Sequence, residues 1–266
     1  MNEPFSFVHT RQHLRFAEFA DYCRTSRSLG VCTGKPGVGK ETSARVYSQW
    51  QTVEPLLENP RNPLTPPSKL LNCHTAYWDA EINCSLRNLR SRLKLLRNRF
   101  DAVVKDSLYW HEPERWRQPP RNDFMELLIV NNAHRLSFLC LEELNEFRKK
   151  YKFGAVLLGA PGFNRKVRLY DLVGSDVAIY HEYAKPRSEE LRQILELRWQ
   201  SSAVRIEDMA ITVIEEASSL NIQKALHIQA EIERFRGIDS ISIISPDVVH
   251  AAGESLLLDP VHRSKK

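Results

Sequence analysis

The segment LGVCTGKPGVGKET, Leu29 to Thr42, constrains the fold more than any other stretch: an apolar run breaks into a glycine-rich loop, and the loop into helix-forming residues. Gly34, Lys35, Pro36, Gly37, Val38, Gly39 and Lys40 spell G-x-x-x-x-G-K. In such a loop the glycines let backbone N–H groups turn inward around a polyphosphate, the next helix offers its positive N-terminus, and the lysine reaches the β- and γ-phosphates. A strand candidate before the loop and a helical pattern after it form the context in which this spacing predicts nucleotide binding. One position departs. The Ser or Thr that would follow Lys40 and ligate Mg²⁺ is Glu41, and Thr42 lies one step further round the helix, facing elsewhere.

The chain around this loop has 266 residues and is 42% hydrophobic, enough for one large or two modest cored domains. No run approaches the length of a membrane span, and the N-terminal MNEPFSFVHTRQHLRF interrupts its apolar residues with charges, so the expectation is a cytoplasmic protein without signal peptide or anchor. The five cysteines, Cys23, Cys32, Cys73, Cys84 and Cys140, lack C-x-x-C spacing and read as reduced small hydrophobes. The histidines are scattered without metal-ligand spacing, and no Ser/His/Asp or Cys/His arrangement can be defended.

Along the chain, Leu14, Phe16, Phe19, Ala20 and Cys23 mark an amphipathic helix within residues 5–27. Glu41 to Gln51 continues the helix after the loop, and EPLLENPRNPLTPPS reads as a proline-rich connector. Residues 70–78 predict a second strand, Ser85 to Val104 a helix, SLYWHEPERWRQPPRND an exposed basic and aromatic connector, and FMELLIV a buried strand. Leu139 to Tyr151 predicts a helix, FGAVLLGAP a fourth strand, Phe163 to Leu172 a short helix and DVAIYHEY a fifth strand. Strands alternating with helices predict an α/β fold with a parallel five-stranded sheet. From Pro186 the pattern changes to helices at 188–200, 206–219, 222–236 and 246–257, a helical bundle without a sheet, before a disordered tail, DPVHRSKK. The domain boundary therefore falls between residues 1–185 and 186–266.

A phosphate-loop hydrolase also needs acids at the end of another strand, one to hold Mg²⁺ through water and one to polarise the attacking water. The strand of that shape, ELLIVNNAHRL, carries Asn131 and Asn132 there. Their amide oxygens accept hydrogen bonds but are neutral and take no proton from water. The plainer alternative is a buried strand that ends in two turn-favouring asparagines.

The order GKPGVGK, LLIVNNAHRL, AVLLGAPGF and then a helical C-terminal region resembles the AAA+ regulators of transposition, the TnsC, TniB and MuB group, with IstB and DnaA-like proteins more distant. The phosphate loop is the one highly specific motif of that resemblance. It implies a P-loop AAA+ core with an N-terminal helix, followed by a small C-terminal helical lid. Asn131 and Asn132 then fall on the family's two acids, with Ala133, Arg135 and Leu136 keeping the frame. The family's polar sensor falls on Ala160, its arginine finger has no clear equivalent with Arg168 nearest, and its C-terminal sensor arginine falls near Gln223 or Lys224, of which Lys224 alone could serve a phosphate. The resemblance further implies a homo-oligomer, ring or filament, on double-stranded DNA, with a transposase and targeting proteins as partners. The departures touch metal binding, water activation and transition-state charge, whereas Gly34, Gly39 and Lys40 remain. The expectation is a protein that binds ATP and hydrolyses it weakly or not at all.

Three readings stay open on the residues. Glu41 either ligates Mg²⁺ directly, which would suit an active DNA-dependent ATPase of the helicase-loader type, or repels the phosphates, which would leave a nucleotide-free scaffold. In RNLRSRLKLLRNR, Arg87, Arg90, Lys94 and Arg97 share one face with Arg92 and Arg99 beside them, while Leu86, Leu89, Leu93 and Leu96 lie on another. A face almost free of acids favours contact with a DNA backbone over an ordinary solvated surface. Trp110, Trp116, Arg115, Arg117 and Arg121 either add stacking and phosphate contacts or pack on the domain.

Overall fold

Uninterrupted apolar runs bury both faces of a strand, and the central strands of this protein follow that rule. The computed structural model describes residues 7–58, 65–117, 124–199, 205–239 and 243–256. In chain order the elements are α1 (Arg11–Thr25), β1 (Leu29–Thr33), α2 (Lys40–Tyr47), α3 (Trp50–Glu58), β2 (Thr75–Asp79), α4 (Leu86–His111), α5 (Pro113–Trp116), β3 (Leu127–Asn131), α6 (Phe138–Tyr151), β4 (Gly154–Gly159), α7 (Phe163–Arg168), α8 (Asp171–Gly174), β5 (Val177–Glu182), α9 (Ser188–Trp199), β6 (Arg205–Ile206), α10 (Asp208–Ser218), α11 (Ile222–Asp239), β7 (Ile243–Ile244) and α12 (Pro246–Ser255). Every residue of β1, β3 and β4 is buried, whereas β5 at the sheet edge is only partly covered.

Strands β1 to β5 form one sheet in the order β2-β3-β4-β1-β5, with every pairing parallel. Parallel neighbours need crossover helices, which together with the N-terminal α1 supply the cover: Phe16 and Phe19 of α1, Leu89, Leu93 and Phe100 of α4, and Leu144 of α6 are buried. Each such side chain contributes about 1.5–3 kcal/mol by leaving water. The expected five-stranded α/β core is therefore present, with β1 delivering the glycine-rich loop to the carboxyl edge of the sheet, where open α/β folds bind ligands.

The chain forms two compact units, Arg15–Gly34 with Lys40–Tyr183, and Met1–Leu14 with Lys35–Gly39 and Ala184–Lys266. The second is built from α9 to α12 around Leu191, Leu195, Trp199, Ile211, Ile214 and Ile228. It is not free of strands, as the helical pattern predicts: β6 pairs with β7 in parallel, two residues each. A pairing that short carries no periodicity for a sequence reading to detect.

Several expected boundaries move. The helix after the loop stops at Tyr47, Gln49 takes a φ of 51°, and α3 restarts at Trp50 and runs through Pro55 into the expected connector. Trp50, Val53 and Leu57 are buried at helical spacing, so their burial offsets the donor that Pro55 removes inside the helix. The expected strand at 70–78 begins as a 3₁₀ turn at Ser68–Asn72 and becomes extended only at Thr75. Helix α4 is capped by Ser85, whose Oγ accepts from Asn88 N at 3.2 Å, and it continues past Val104 to His111 because Val104, Ser107 and Leu108 are buried. Leu14 of α1 is exposed, unlike its expected companions. Residues 59–64 of the proline-rich connector, Arg121 and the whole tail DPVHRSKK lie outside the described residues.

All five cysteines are free. Burial pushes the Cys23 thiol up to about 12 and the Cys73 thiol up to about 11, which keeps both protonated and inert. Among the described residues no helix is long and apolar enough to cross a membrane.

Burial also pulls the His13 imidazole down to about 4, helped by His9, whose ring lies 5.1 Å away. The folded state thus resists a proton that the unfolded chain accepts below about pH 6.5. Stability contributed by neutral His13 is full above that pH and is lost as pH falls towards 4. The urea midpoint is expected to drop between pH 7 and 5, and the drop should be smaller in His13→Phe; an identical drop in both would remove His13 from the account.

Candidate nucleotide site

The loop leaves β1 at Thr33 with backbone geometry that its glycines make possible. Gly37 and Gly39 have φ of 76° and 99°, a region that costs a side-chain-bearing residue about 1–2 kcal/mol. At Gly34 the restriction is space: a Cβ would stand 2.4 Å from the Tyr183 carbonyl oxygen. Lys40 opens α2 and its Nζ donates to the Gly34 carbonyl at 2.7 Å, across the base of the loop. Burial pulls the Lys40 ammonium below its usual pKa, while Cys32 and Glu41 push the other way. A partly desolvated cation beside a glycine cradle is the environment that a phosphate stabilises, so the loop fits a polyphosphate.

The loop apex belongs to the helical unit. Asn221 Nδ2 donates to the Pro36 carbonyl at 2.9 Å, and the Gln223 amide donates to the Gly37 carbonyl at 3.1 Å. Asn221 Oδ1 accepts from the Lys224 amide at 3.1 Å, so one side chain caps α11 and clasps the loop. Ser219 and Leu220, with φ of 52° and 56°, make the tight turn that delivers it. Lys224 follows with an exposed side chain. Nothing in the sequence singles out Asn221, because a polar residue between two helices carries no signal of a partner 185 positions away.

At the carboxyl edge of the sheet, Asn131 ends β3, 6% exposed, and Asn132 follows in the left-handed region with φ 53° and ψ 28°. Asn is the residue type that tolerates this backbone best, yet an ordered non-glycine residue here marks strain at a candidate site. β2 and β3 pair so that Asp79 faces Asn131 in register. Asn132 Nδ2 donates to Asp79 Oδ1 at 2.7 Å, and Asn131 Nδ2 donates to the same oxygen at 3.4 Å. Asp79 is not among the residues that the sequence points to; its only signal there is an acid closing the second strand, TAYWD.

Glu41 and Thr42 are both exposed on the first turn of α2. Ala160, at the end of β4, offers only backbone, and its carbonyl accepts from the Phe163 amide at 3.1 Å. Arg168 lies over the Tyr180 ring at 4.2 Å from its centroid. The His134 imidazole beside Ala133 is held below its usual pKa by burial, then by Arg135, Lys166 and Lys40, and so stays neutral in a cationic neighbourhood. Among the described residues no group of three or more His, Cys, Asp or Glu could hold a metal on its own. The oxygens present nevertheless suit Mg²⁺, which takes one or two carboxylates, keeps several waters and shares the nucleotide's phosphates.

The basic face of α4 is less uniform than its sequence. Arg90 is ion-paired with Glu143 at 2.6 Å, Arg92 with Glu81 at 2.8 Å, and Arg97 lies over the Tyr151 ring at 4.2 Å. Arg99 Nη1 donates to the Leu57 carbonyl at 3.1 Å. Arg87 and Lys94 are exposed. Leu89 and Leu93 are buried as the pattern requires, whereas Leu86 and Leu96 are half-buried.

This architecture recurs in known proteins. A protein of Staphylococcus aureus described as a potential ATP-binding protein is 27% identical over 273 aligned residues, covering 97% of this chain and 99% of its own. The Thermotoga maritima RuvB Holliday junction branch migration motor superposes with a TM-score of 0.59 at 17% identity, over 93% of this chain and 70% of that one. The Aeropyrum pernix ORC2 protein in its ADP form superposes with a TM-score of 0.62 at 16% identity, over 96% and 70%. At such identities the likeness to solved structures establishes fold alone. The family model for the AAA domain matches residues 23–167, from the end of α1 through the phosphate loop and β3 to α7. With the loop, four of the five strands of the parallel sheet and the paired asparagines inside that match, which spans more than half of the chain, the protein belongs to the AAA domain family.

Proposed function

We propose that this protein binds ATP at the 34–42 loop, oligomerises on double-stranded DNA with ATP acting mainly as an assembly ligand, and recruits or regulates a transposase in the manner of the TnsC, TniB and MuB group. The observation that carries the reading is the division within the site. The loop keeps its positive-φ glycines and Lys40, while Asn131 and Asn132 stand where water-activating acids are needed. Binding is therefore favoured over turnover. The ATP-binding description of the S. aureus relative supports the ligand. Lys40 and the loop amides hold the phosphates, Lys224 is the C-terminal cation of the reading, and Glu41 stands at the Mg²⁺ position. A DNA-dependent ATPase with measurable turnover is the second reading, favoured by the carboxylates of Glu41 and Asp79.

For DNA, the exposed Arg87 and Lys94 are the residues to test, because Arg90 and Arg97 already serve intramolecular partners. Each cation that no longer neutralises a phosphate takes about 0.9 off the slope of log affinity against log salt. Arg87→Glu with Lys94→Glu is expected to weaken duplex binding at least tenfold and to flatten that slope by about 2. Unchanged affinity and slope would end the assignment of α4 to DNA. Images of the purified protein on duplex DNA with ATP, ADP or no nucleotide test assembly directly, and rings or filaments only with ATP are expected.

A further inference from the structure

We propose that Asp79, from the strand beside β3, is the carboxylate of the Mg²⁺ end of the nucleotide pocket, and that it fixes the Asn131 and Asn132 amides with their oxygens turned away from itself. This deepens the ATP-binding reading and rests on it.

Both amide nitrogens donate to a single oxygen, Asp79 Oδ1, at 3.4 and 2.7 Å. An amide carries its nitrogen and oxygen on opposite sides, so committing both nitrogens to Asp79 leaves both oxygens as acceptors for other donors, such as metal-bound water. The charge that β3 lacks is thus supplied one strand over, at a register position fixed by the pairing of Asp79 with Asn131. Asp79 is exposed at the carboxyl edge of the sheet and accessible to a ligand.

The same strand carries a further group that feels both acids. Tyr77, on the same strand as Asp79, is buried, and its hydroxyl lies beside the Arg45 guanidinium. Burial, then the charges of Glu41 and Asp79, holds this phenol above its ordinary pKa, with the nearby Arg45 guanidinium opposing. The two carboxylates therefore bear on one hydroxyl, one from the residue after the loop lysine and one from β2. Two carboxylates and two amide oxygens make a hard, oxygen-rich set that suits Mg²⁺ carried in with ATP.

The test is the affinity of a fluorescent ATP analogue in Mg²⁺ and in EDTA, a readout independent of turnover. The unmodified protein is expected to bind at least tenfold tighter with Mg²⁺. Asp79→Asn is expected to lose most of that gain while its affinity in EDTA stays within about twofold. The exchange Asp79→Asn with Asn132→Asp reverses the hydrogen bond without deleting it and is expected to restore the gain; it also serves if Asp79→Asn alone fails to fold. Asn132→Asp alone sets two carboxylates at 2.7 Å and is expected to lower the melting temperature. A full Mg²⁺ gain in folded Asp79→Asn, or none in the exchange, would overturn the assignment of Asp79. Absence of binding by the unmodified protein in both buffers would overturn the ATP reading itself, and this inference with it.

Discussion

Lys40→Ala is expected to lower the affinity for ATP by about 10- to 100-fold. Lys40 Nζ sits 2.7 Å from the Gly34 carbonyl in a partly desolvated position, so little movement is needed to exchange that oxygen for a phosphate. A charge-assisted hydrogen bond to phosphate is worth about 1.5–3 kcal/mol, and each 1.4 kcal/mol is a factor of ten. The backbone amides of the loop and Asn221, which ties down Pro36, are untouched by the substitution, so the melting temperature without ligand is expected to hold. Titration of a fluorescent ATP analogue measures the loss. If affinity is unchanged, the loop is a turn that mimics a phosphate site, and the nucleotide-free scaffold becomes the surviving reading.

Gly154→Ala is expected to destabilise the sheet unit by about 2–3 kcal/mol, lowering the melting temperature by about 5–10 °C. Gly154 starts β4 where the strand passes the end of α1, and a Cβ there would stand 2.1 Å from the Cys23 carbonyl oxygen and 2.7 Å from its carbon. Both obstacles are backbone, so helix or strand must shift; no side chain can rotate aside. Gly237→Ala in α11 supplies the contrast. Nothing lies within 4 Å of a Cβ at that position, and removing a helical glycine is expected to stabilise by about 0.5–1 kcal/mol. Thermal melts of the two variants check both signs, and an unchanged Gly154→Ala melt would mean that α1 and β4 are more loosely packed than these distances imply.

The structure changes how the asparagines are to be tested. From the sequence, restoring acids by Asn131→Asp plus Asn132→Glu should raise turnover only if the pocket binds nucleotide. With Asp79 already hydrogen-bonded to both amides, that restoration sets three carboxylates together, and their mutual repulsion raises their pKa values and weakens the fold. The basic helix teaches the same lesson. Arg90 looks like a free cation in RNLRSRLKLLRNR, but its partner Glu143 lies 53 positions away, beyond any local pattern.

The sequence by itself determined the elements whose cause is local. The glycine-rich loop is legible because positive φ demands glycine, and β1, β3 and β4 because strands buried on both faces need unbroken apolar runs. The C-terminal helices show through their periodicity. Only the tertiary structure decided what depends on neighbours: α3 running through Pro55, α4 reaching His111, Asn221 clasping the loop, and Asp79 beside the asparagines. The physical reason is that periodicity encodes which face of an element is buried. Which strand lies next to which is set by how crossover helices pack, and that order, β2 beside β3, brings the acid to the amides.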